Sequence, residues 1–466
     1  MTTLAELETL FAAQQRAFAA KPFPTLAERL QALSKLRKVC ASVVPKLPQA
    51  LREDFASHDP SIGLLWELGG VIARIVHTSE HVEAWMKPSP RESGSDAECY
   101  VAYQPKGVIG NMVPWNFPVD ISLGPLVDIL AAGNRAIVKP SEYAPSCAEL
   151  VRSAIAEHFD PTEVAVVTGG VELAEAFAEL PWNHLIYTGN PLTGRKVMTA
   201  AAKNLTPVTL ELGGKCPAIV LRDRANDDTF AEILSIKAIK SGQVCINTDY
   251  VLAPAEELDS IVSRLRALWQ KMFPSFVAHP SATGIINERH FARLRGYLDE
   301  ARARSVRVEA LGGESPDPAR RTLPLTLVID PPDDLALMQE EIFGPILPIK
   351  PYRSLDEAIA YVNAGPRPLA LYVFTDDRAL ADDVLARTQS GGACVNAIAV
   401  HASLPSLPFG GVGNSGMGAH HAHEGFLTFS HARAVYHRGP SNPWEGMRPP
   451  WGDTLAAVAK FVVGQE

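Results

Sequence analysis

Short β-rich runs alternate with helical segments through the middle of this chain, and this alternation is the feature that most constrains its fold. Strand–helix–strand units join parallel strands through helices that cover the faces of the sheet. The pattern therefore predicts an α/β fold built on a parallel sheet. In order, the runs and segments are 136–138, 147–158, 164–167, 172–180 and 185–187.

The regions on either side extend this picture. Residues 2–86 carry apolar side chains such as Leu4, Leu7 and Phe11 at helical spacing, which predicts helices. Residues 99–104 predict a strand. A second α/β stretch follows Gly214, with strand candidates at 218–221 and 250–252. A chain of 466 residues is long enough for two or three such domains.

Composition excludes several classes of function. The formal net charge is -9, with no basic run, so no nucleic-acid partner is expected. Six scattered cysteines without a C-x-x-C pair argue against a zinc ribbon and a disulfide framework and favour a cytoplasmic location. The acidic N-terminus does not have the pattern of a signal peptide. Residues 107–134 are interrupted by prolines and acids, and residues 455–463 are too few to cross a bilayer, so no membrane partner is expected.

Two short motifs supply both halves of a covalent mechanism. Cys245 lies in the run GQVCI, and Glu211 opens the run ELGGK a short way upstream. A thiolate can attack a carbonyl carbon, and an acid can activate water against the resulting thioester. Taken singly, each residue has an ordinary structural interpretation: a buried small side chain for Cys245, and a cap or a salt bridge with Lys215 for Glu211.

Further motifs stand in a fixed order along the chain. They are PWNFP at 114–118, VKPSE at 138–142, HLIYTG at 184–189, EEIFGP at 340–345 and PFGGVGNSGMG at 408–418. Together with the two catalytic motifs they resemble the NAD(P)-dependent aldehyde dehydrogenase superfamily. The resemblance extends to about Tyr436. It is closest to the class 3 branch and, within it, to the bacterial coniferyl aldehyde dehydrogenase group.

The resemblance implies a discontinuous domain organisation. A Rossmann-type dinucleotide-binding domain would take residues 1–90 and 108–212, and an α/β catalytic domain would take 213–400. A small β oligomerisation unit would combine 91–107 with 401–440, and 441–466 would form a C-terminal tail. Class 3 relatives are dimeric, so a homodimer is expected.

The resemblance also assigns catalytic roles. Cys245 would form a thiohemiacetal with an aldehyde, which requires the site to favour its thiolate. The Asn116 amide and the Cys245 backbone N–H would hold the oxyanion. Glu211, ionised at neutral pH, would deprotonate water to hydrolyse the thioester. An acid at this position favours a free carboxylic acid as the product over an acyl-coenzyme A.

No G-x-G-x-x-G run is present, and the family binds its dinucleotide without one. The turn at 187–194 would hold a phosphate, with Gly189 allowing close approach, Asn190 capping a helix and Pro191 in its first turn. Lys139 and Glu142 match residues that hold the adenosine ribose, and this acid favours NAD, with NADP accepted as well. The remaining cofactor-binding candidates are Pro114, Trp115, Ser141, Gly194, Glu341 and Phe343.

The substrate is expected to be an aromatic or medium-chain aldehyde of the coniferyl aldehyde kind. Phe117 replaces a frequent tyrosine, and the small Ala402 and Ser403 stand at the mouth of the aldehyde tunnel in relatives. His420 replaces the tyrosine of a class 3 Tyr-His-Gly pattern, and no metal site is expected among the neighbouring histidines. A coenzyme A-acylating enzyme, a thiol esterase and a non-catalytic dinucleotide-binding relative remain the alternatives.

Overall fold

The computed structural model describes residues 1–445, 448–451 and 454–463. Its helices, in chain order, are α1 (Leu4–Ala20), α2 (Leu26–Val43), α3 (Leu47–Phe55), α4 (Pro60–Leu64), α5 (Gly70–Trp85), α6 (Asp120–Ala131), α7 (Pro145–His158), α8 (Val171–Glu179), α9 (Pro191–Ala202), α10 (Asp227–Ala238), α11 (Leu258–Met272), α12 (Glu288–Ala303), α13 (Ala336–Gln339), α14 (Leu355–Ala364), α15 (Arg378–Arg387), α16 (Val400–Ser403), α17 (Ala422–Thr428) and α18 (Thr454–Val463).

Three sheets contain the strands. In chain order these are β1 (Ser89–Arg91), β2 (Glu98–Pro105), β3 (Val108–Met112), β4 (Arg135–Lys139), β5 (Val164–Val166), β6 (His184–Gly189), β7 (Val208–Leu212), β8 (Pro217–Val220), β9 (Tyr250–Pro254), β10 (Arg307–Ala310), β11 (Thr326–Ile329), β12 (Ile346–Tyr352), β13 (Ala370–Phe374), β14 (Gly392–Val395), β15 (Gly416–Met417) and β16 (Ser430–His437). The helices and strands predicted from sequence are confirmed, to within a residue or two at their ends.

The N-terminal helices begin where the sequence places a capping box. Thr3 and Glu6 at the start of α1, and Thr25 and Glu28 at the start of α2, each exchange side-chain and backbone hydrogen bonds. Each exchange satisfies two backbone N–H groups that the helix leaves without an internal partner. The Thr-x-x-Glu spacing therefore sets both helix starts.

The first sheet has the strand order β15-β7-β6-β3-β4-β5 and is parallel except for β15. Chain order runs outward from β3 to β5 on one side and from β6 to β7 on the other. In such a sheet the direction of winding reverses between β3 and β6, and helices diverge there. That reversal opens a crevice at the carboxyl ends of the strands, which is where ligands bind in this architecture.

The second sheet has the order β10-β11-β12-β9-β8-β13-β14, and only the edge strand β10 is antiparallel. Its central strands β8, β9 and β13 are buried along their whole length, as helices on both faces require. Apolar clusters pack against both faces. The rigid frame fixes the loops at the strand ends.

A third, antiparallel sheet pairs β1, β2 and β16, and therefore joins chain segments that are more than 300 residues apart. Residues 99–104, predicted as a strand, lie within β2. No helix within the described ranges is long and apolar enough to cross a membrane. Residues 446–447, 452–453 and 464–466 of the predicted C-terminal tail lie outside those ranges.

Candidate active site

A cavity of about 1970 Å³ opens at the carboxyl ends of β3, β4, β6 and β7, where the first sheet faces the second. Every predicted site residue lines this cavity except Gly194. The residues brought together are Pro114, Trp115, Asn116, Lys139, Ser141, Glu142, Gly189, Asn190, Glu211, Cys245, Glu341 and Phe343. Gly194 instead supports the packing of α9, because a Cβ there would lie 2.8 Å from Leu212.

The turn before Cys245 is strained. Lys240, Ser241 and Gly242 have φ values of 49°, 50° and 76°, so three consecutive residues occupy the left-handed region. This conformation costs an L-residue roughly 1–2 kcal/mol. Gly242 is required on a second ground, because a Cβ there would overlap the carbonyl oxygen of Gly344. The turn therefore needs strong external support.

Buried polar side chains supply that support. Gln243 donates from Nε2 to the carbonyls of Lys240 (2.9 Å) and Gly284 (3.1 Å), and its Oε1 accepts the Ile286 N–H. Asn247 donates to the Gly242 carbonyl at 2.7 Å. The buried glutamine of the Gly-Gln-x-Cys motif thus stabilises the strained turn through its hydrogen bonds.

Lys240 forms a fully buried ion pair with Glu67, both side chains having no exposed surface. Glu67 lies on a π-helical turn, Leu65–Gly69, and also accepts the N–H groups of Val119 and Asp120. The Lys240 ammonium donates in addition to the Asn116 carbonyl at 2.5 Å. Through this ammonium the cysteine turn and the Asn116 turn are held together.

The Asn116 side chain is 3% exposed, and its Nδ2 donates to the Gln243 carbonyl at 3.3 Å. An amide nitrogen carries two hydrogens, so one remains for a ligand in the cavity. The same Gln243 carbonyl links this amide to the loop that carries Cys245. The arrangement therefore provides one oriented donor beside the cysteine.

Cys245 is the one residue of 241–250 that is not fully buried. Of the six cysteines, all within the described part of the chain, it alone lines the cavity. Burial raises the pKa of its thiol, as do Glu211 and Glu341, while hydrogen bonds from the N–H groups of Ile246 and Cys245 itself act in the opposite direction. Among the causes that act on this thiol no cation offsets the burial, so the requirement that the site favour the thiolate stays a prediction.

Glu211 lines the cavity from β7, and its neighbours Leu210 and Leu212 belong to an apolar cluster. It is 2% exposed, and neither carboxylate oxygen has a hydrogen-bond partner among the described residues. Burial raises its pKa well above the ordinary value. The surroundings of Glu211 in the free protein therefore oppose the ionised form that the sequence analysis expects, because burial penalises a carboxylate that no described donor compensates.

Lys215 does not pair with Glu211. Its ammonium contacts Asp249 at 2.5 Å and donates to the carbonyls of Leu337 and Glu340. Asp249 in turn accepts the Ile342 N–H. The salt-bridge interpretation of Glu211 is thus excluded, and Lys215 instead joins the loops around the site.

The β6–α9 turn is built as the sequence indicates. Asn190 caps α9 by accepting the Thr193 N–H at 2.9 Å, and Pro191 is the first helical residue. A Cβ at Gly189 would overlap the Tyr187 hydroxyl, so only glycine fits there. The first turn of α9 lines the cavity, and the positive end of the helix dipole there suits an anion such as a phosphate.

A second polar group follows β4. Lys139 is buried, and its ammonium lies 3.3 Å from the carboxylate of the partly exposed Glu142. Ser141 accepts the Tyr143 N–H through its hydroxyl oxygen, which shapes the turn. Both charged side chains line the cavity, so each could contact a sugar hydroxyl.

Between the two sheets lie Glu341 and Phe343. Burial raises the pKa of Glu341 to about 8, and Asp249 adds to the rise. Its carboxylate occupies the space above Gly213, where a Cβ would overlap it, and its Oε1 has no partner among the described residues. Phe343 has a φ of 50°, and its ring meets Trp115 edge-on at 5.3 Å. Arg293 holds this turn by donating to the carbonyls of Glu341 and Ile342.

These features fit a dinucleotide. The cavity offers a helix N-terminus for phosphate and a Lys–carboxylate pair for ribose. Oε1 of Glu341 and Nδ1 of His290 are buried polar atoms without partners among the described residues. Such atoms are normally satisfied, so a ligand with hydroxyl groups would complete them.

Several functional residues carry no sequence signal that would identify them. The Glu67–Lys240 pair joins residues 173 positions apart. His420 and His421 prove to be cavity residues, whereas His423 is exposed. Within the described residues, no group of three or more His, Cys, Asp or Glu side chains is arranged to hold a metal ion.

Comparison with known proteins gives a consistent result. The model of the aldehyde dehydrogenase family matches residues 2–435. The chain is 44% identical over 453 residues to a probable coniferyl aldehyde dehydrogenase of Pseudomonas aeruginosa, covering 97% of the chain and 94% of the relative. It is 41% identical over 442 residues to the coniferyl aldehyde dehydrogenase of Pseudomonas sp., with 93% and 92% covered. The dimeric NADP-preferring aldehyde dehydrogenase of Canis lupus familiaris is 35% identical, with 93% and 94% covered.

Solved structures agree. The substrate-bound state of Staphylococcus aureus AldH has a TM-score of 0.91 and 31% identity, covering 99% of this chain and 100% of that one. The aldehyde dehydrogenase of Mycobacterium tuberculosis complexed with NAD+ has a TM-score of 0.83 and 26% identity, with 95% and 92% covered. The predicted α/β class is confirmed.

Proposed function

The chain belongs to the aldehyde dehydrogenase family, and from that membership we propose that it oxidises aromatic and medium-chain aldehydes, including those of the coniferyl aldehyde kind, to carboxylic acids. The general activity, NAD(P)-dependent oxidation of an aldehyde, follows from the family. One observation carries the assignment of residues: the partly exposed Cys245 shares a cavity with Glu211 and Asn116.

The first step is attack of the Cys245 sulfur on the aldehyde carbon. Burial opposes the thiolate, so attack requires an acceptor for the thiol proton. The ionised form of Glu211 or of Glu341, the two carboxyl groups that act on this thiol, takes that proton and then releases it to water. The carbonyl oxygen becomes an alkoxide, which the free hydrogen of Asn116 Nδ2 and the Cys245 N–H stabilise. One such donor contributes about 3–4 kcal/mol to lowering a barrier of this kind.

The bound dinucleotide supplies the acceptor for the hydride that leaves the tetrahedral carbon, and a thioester then remains on Cys245. Glu211, once deprotonated, removes a proton from water, whose oxygen adds to the thioester carbon, and the Cys245 sulfur leaves. A carboxylate with a raised pKa is a stronger base than an exposed one, which suits this step. Hydrolysis by Glu211 favours a free acid over transfer to coenzyme A.

The walls near Cys245 favour apolar and flat substrates. Trp66 and Phe117 stack with ring centres 6.1 Å apart, and both line the cavity. Cys245, Trp66 and Phe409 pack against the same apolar cluster that contains Phe117. The small side chains of Ala402 and Ser403 also line this cavity. Such walls discriminate weakly between chain lengths, by about 1–3 kcal/mol per methylene, so a broad substrate range follows.

We also propose the cofactor preference, the domain division, the oligomeric state and the location of the protein. NAD is the preferred cofactor because the Glu142 carboxylate repels a 2′-phosphate, and Lys139 beside it moderates the repulsion, so that NADP is accepted too. The domain division at residues 90, 107, 212 and 400, the homodimer and the cytoplasmic location are proposed with it. The dimeric relative at 35% identity supports the homodimer, and six free cysteines support a reducing compartment.

The test is a substrate panel with each cofactor. We expect kcat/KM with NAD to be highest for coniferyl aldehyde and benzaldehyde, to follow closely for hexanal and to be lowest for acetaldehyde. Free acid should form with or without coenzyme A. A tenfold preference for acetaldehyde would reject the substrate class, and formation of acyl-coenzyme A would favour the acylating alternative.

A further inference from the structure

One wall of the cavity carries a buried polar cluster that the reaction described above does not use. Arg74, Asp120, His420 and His421 line the cavity, and Asp128 lies behind the two histidines. Phe409 joins this cluster to the aromatic wall near Cys245, since its ring stacks on His421 at 5.3 Å and meets His420 edge-on at 5.8 Å. The cluster therefore borders the space that an aldehyde would occupy.

Arg74 pairs with two members of this cluster. Arg74 contacts Asp120 at 2.5 Å and His421 Nε2 at 2.7 Å. A guanidinium only donates hydrogen bonds, so His421 Nε2 must accept, and its ring is neutral. Burial lowers the pKa of His421, and the nearby Arg74 charge lowers it further. His421 is thereby fixed in one tautomer and orientation.

His420, by contrast, has a ring nitrogen without a hydrogen-bond partner in the described part of the chain. Its Nδ1 is buried without a hydrogen-bond partner among the described residues and lies 3.9 Å from Oδ2 of Asp128. That oxygen already accepts the backbone N–H of His421 at 3.0 Å. Burial lowers the pKa of His420 to about 3, so the ring is neutral at physiological pH. A neutral imidazole with its N–H toward the carboxylate leaves Nε2 as an acceptor.

We propose that Nε2 of His420 accepts a hydrogen bond from the ring hydroxyl of a phenolic aldehyde and so selects hydroxylated aromatic substrates. This inference rests on the proposed function, because it assigns the substrate class of the same cavity. Trp66, Phe117 and Phe409 provide flat apolar contacts for the ring. Arg74 occupies Nε2 of His421, and Nδ1 of His421 is then a donor. Nε2 of His420 is therefore the ring nitrogen of this wall that can accept, and it distinguishes a hydroxyl from a hydrogen or a methoxyl.

The experiment compares 4-hydroxycinnamaldehyde, 4-methoxycinnamaldehyde and cinnamaldehyde as substrates with saturating NAD. For the unmodified protein we expect kcat/KM for the hydroxyl compound to exceed that for either analogue by about tenfold, the effect of one buried hydrogen bond. His420→Phe keeps a ring but removes the acceptor, so this ratio should fall to about one. His420→Gln places an amide oxygen near Nε2 and should keep part of the preference.

His423→Phe is the matched control, because His423 is exposed and does not line the cavity. Its ratio should equal that of the unmodified protein. Binding of 4-hydroxybenzaldehyde and benzaldehyde to the Cys245→Ala variant, measured by calorimetry, reports the preference apart from the chemistry. Equal kcat/KM for all three cinnamaldehydes, or an unchanged ratio in His420→Phe, would overturn the inference while leaving the proposed function intact. Failure to oxidise any aldehyde would reject the proposed function itself.

Discussion

Replacing Lys240 with methionine should both destabilise the protein and slow its reaction. The ammonium is fully buried, pairs with the fully buried Glu67 and lies 4.2 Å from the centre of the Phe117 ring. Removing one member of such a pair leaves the other charge uncompensated in the interior, which typically costs about 3–5 kcal/mol. We therefore expect the free energy of unfolding to fall by an amount in this range.

The double variant Glu67→Gln/Lys240→Met should be more stable than Lys240→Met alone. The glutamine carbonyl can still accept the N–H groups of Val119 and Asp120, and no charge remains buried. Both variants lose the donor to the Asn116 carbonyl, so the amide that stabilises the oxyanion is less firmly placed. Because one oxyanion donor contributes about 3–4 kcal/mol, partial misplacement should lower kcat at least tenfold in both.

Urea titrations and steady-state kinetics at saturating substrates measure these effects. Lys21→Met is the matched control, because Lys21 pairs with Glu28 on the surface, where water screens the pair and its loss should hardly change the stability. A Lys240→Met variant as stable as the unmodified protein, or a double variant less stable than the single one, would refute the electrostatic argument. An unchanged kcat in both would refute the positioning of Asn116.

Three further predictions concern single residues. Gly242→Ala should lower the free energy of unfolding by about 2 kcal/mol or more, because Gly242 has a positive φ and no room for a Cβ. The control Gly296→Ala in α12 has open space around it and should leave the stability unchanged or raise it, so equal urea midpoints for the two variants would contradict this prediction. Burial raises the pKa of Glu211, so the rate of thioester hydrolysis in single-turnover assays should rise with pH through and above neutrality, and a flat profile from pH 6 to 9 would contradict its role as base. Finally, kcat/KM should be higher with NAD than with NADP, and Glu142→Gln should narrow the ratio; a preference of the unmodified protein for NADP would reject the assignment.

The fold was predictable because its signals are local. Alternating strand and helix patterns indicated the parallel sheets. The capping boxes at the starts of α1 and α2 are local in the same way, because each joins residues only three positions apart. The order of the motifs indicated the site residues, because the residues of each motif shape the turn in which they lie. Gly189, for example, leaves room for the Tyr187 hydroxyl, and Asn190 caps α9.

What the sequence could not provide depends on contacts between distant segments. In the sequence Glu67 cannot be distinguished from other helical acids, because its ion pair with Lys240 forms only in the folded chain. The ionisation of Glu211 depends on the absence of hydrogen-bond partners among its described neighbours, which no motif reveals. His420 lies in a loop, and only the packing of α17 near Asp128 places it at the cavity.

The most direct test of the two-step covalent cycle is a stopped-flow experiment on Glu211→Gln with NAD and benzaldehyde. We expect a burst of about one NADH per active site followed by a stall, with mass spectrometry of the protein and its peptides showing one benzoyl group attached at Cys245. Cys245→Ala, as the control, should give neither burst nor adduct. Continuous turnover by Glu211→Gln at the unmodified rate, or an adduct on any other residue, would rule out this covalent cycle.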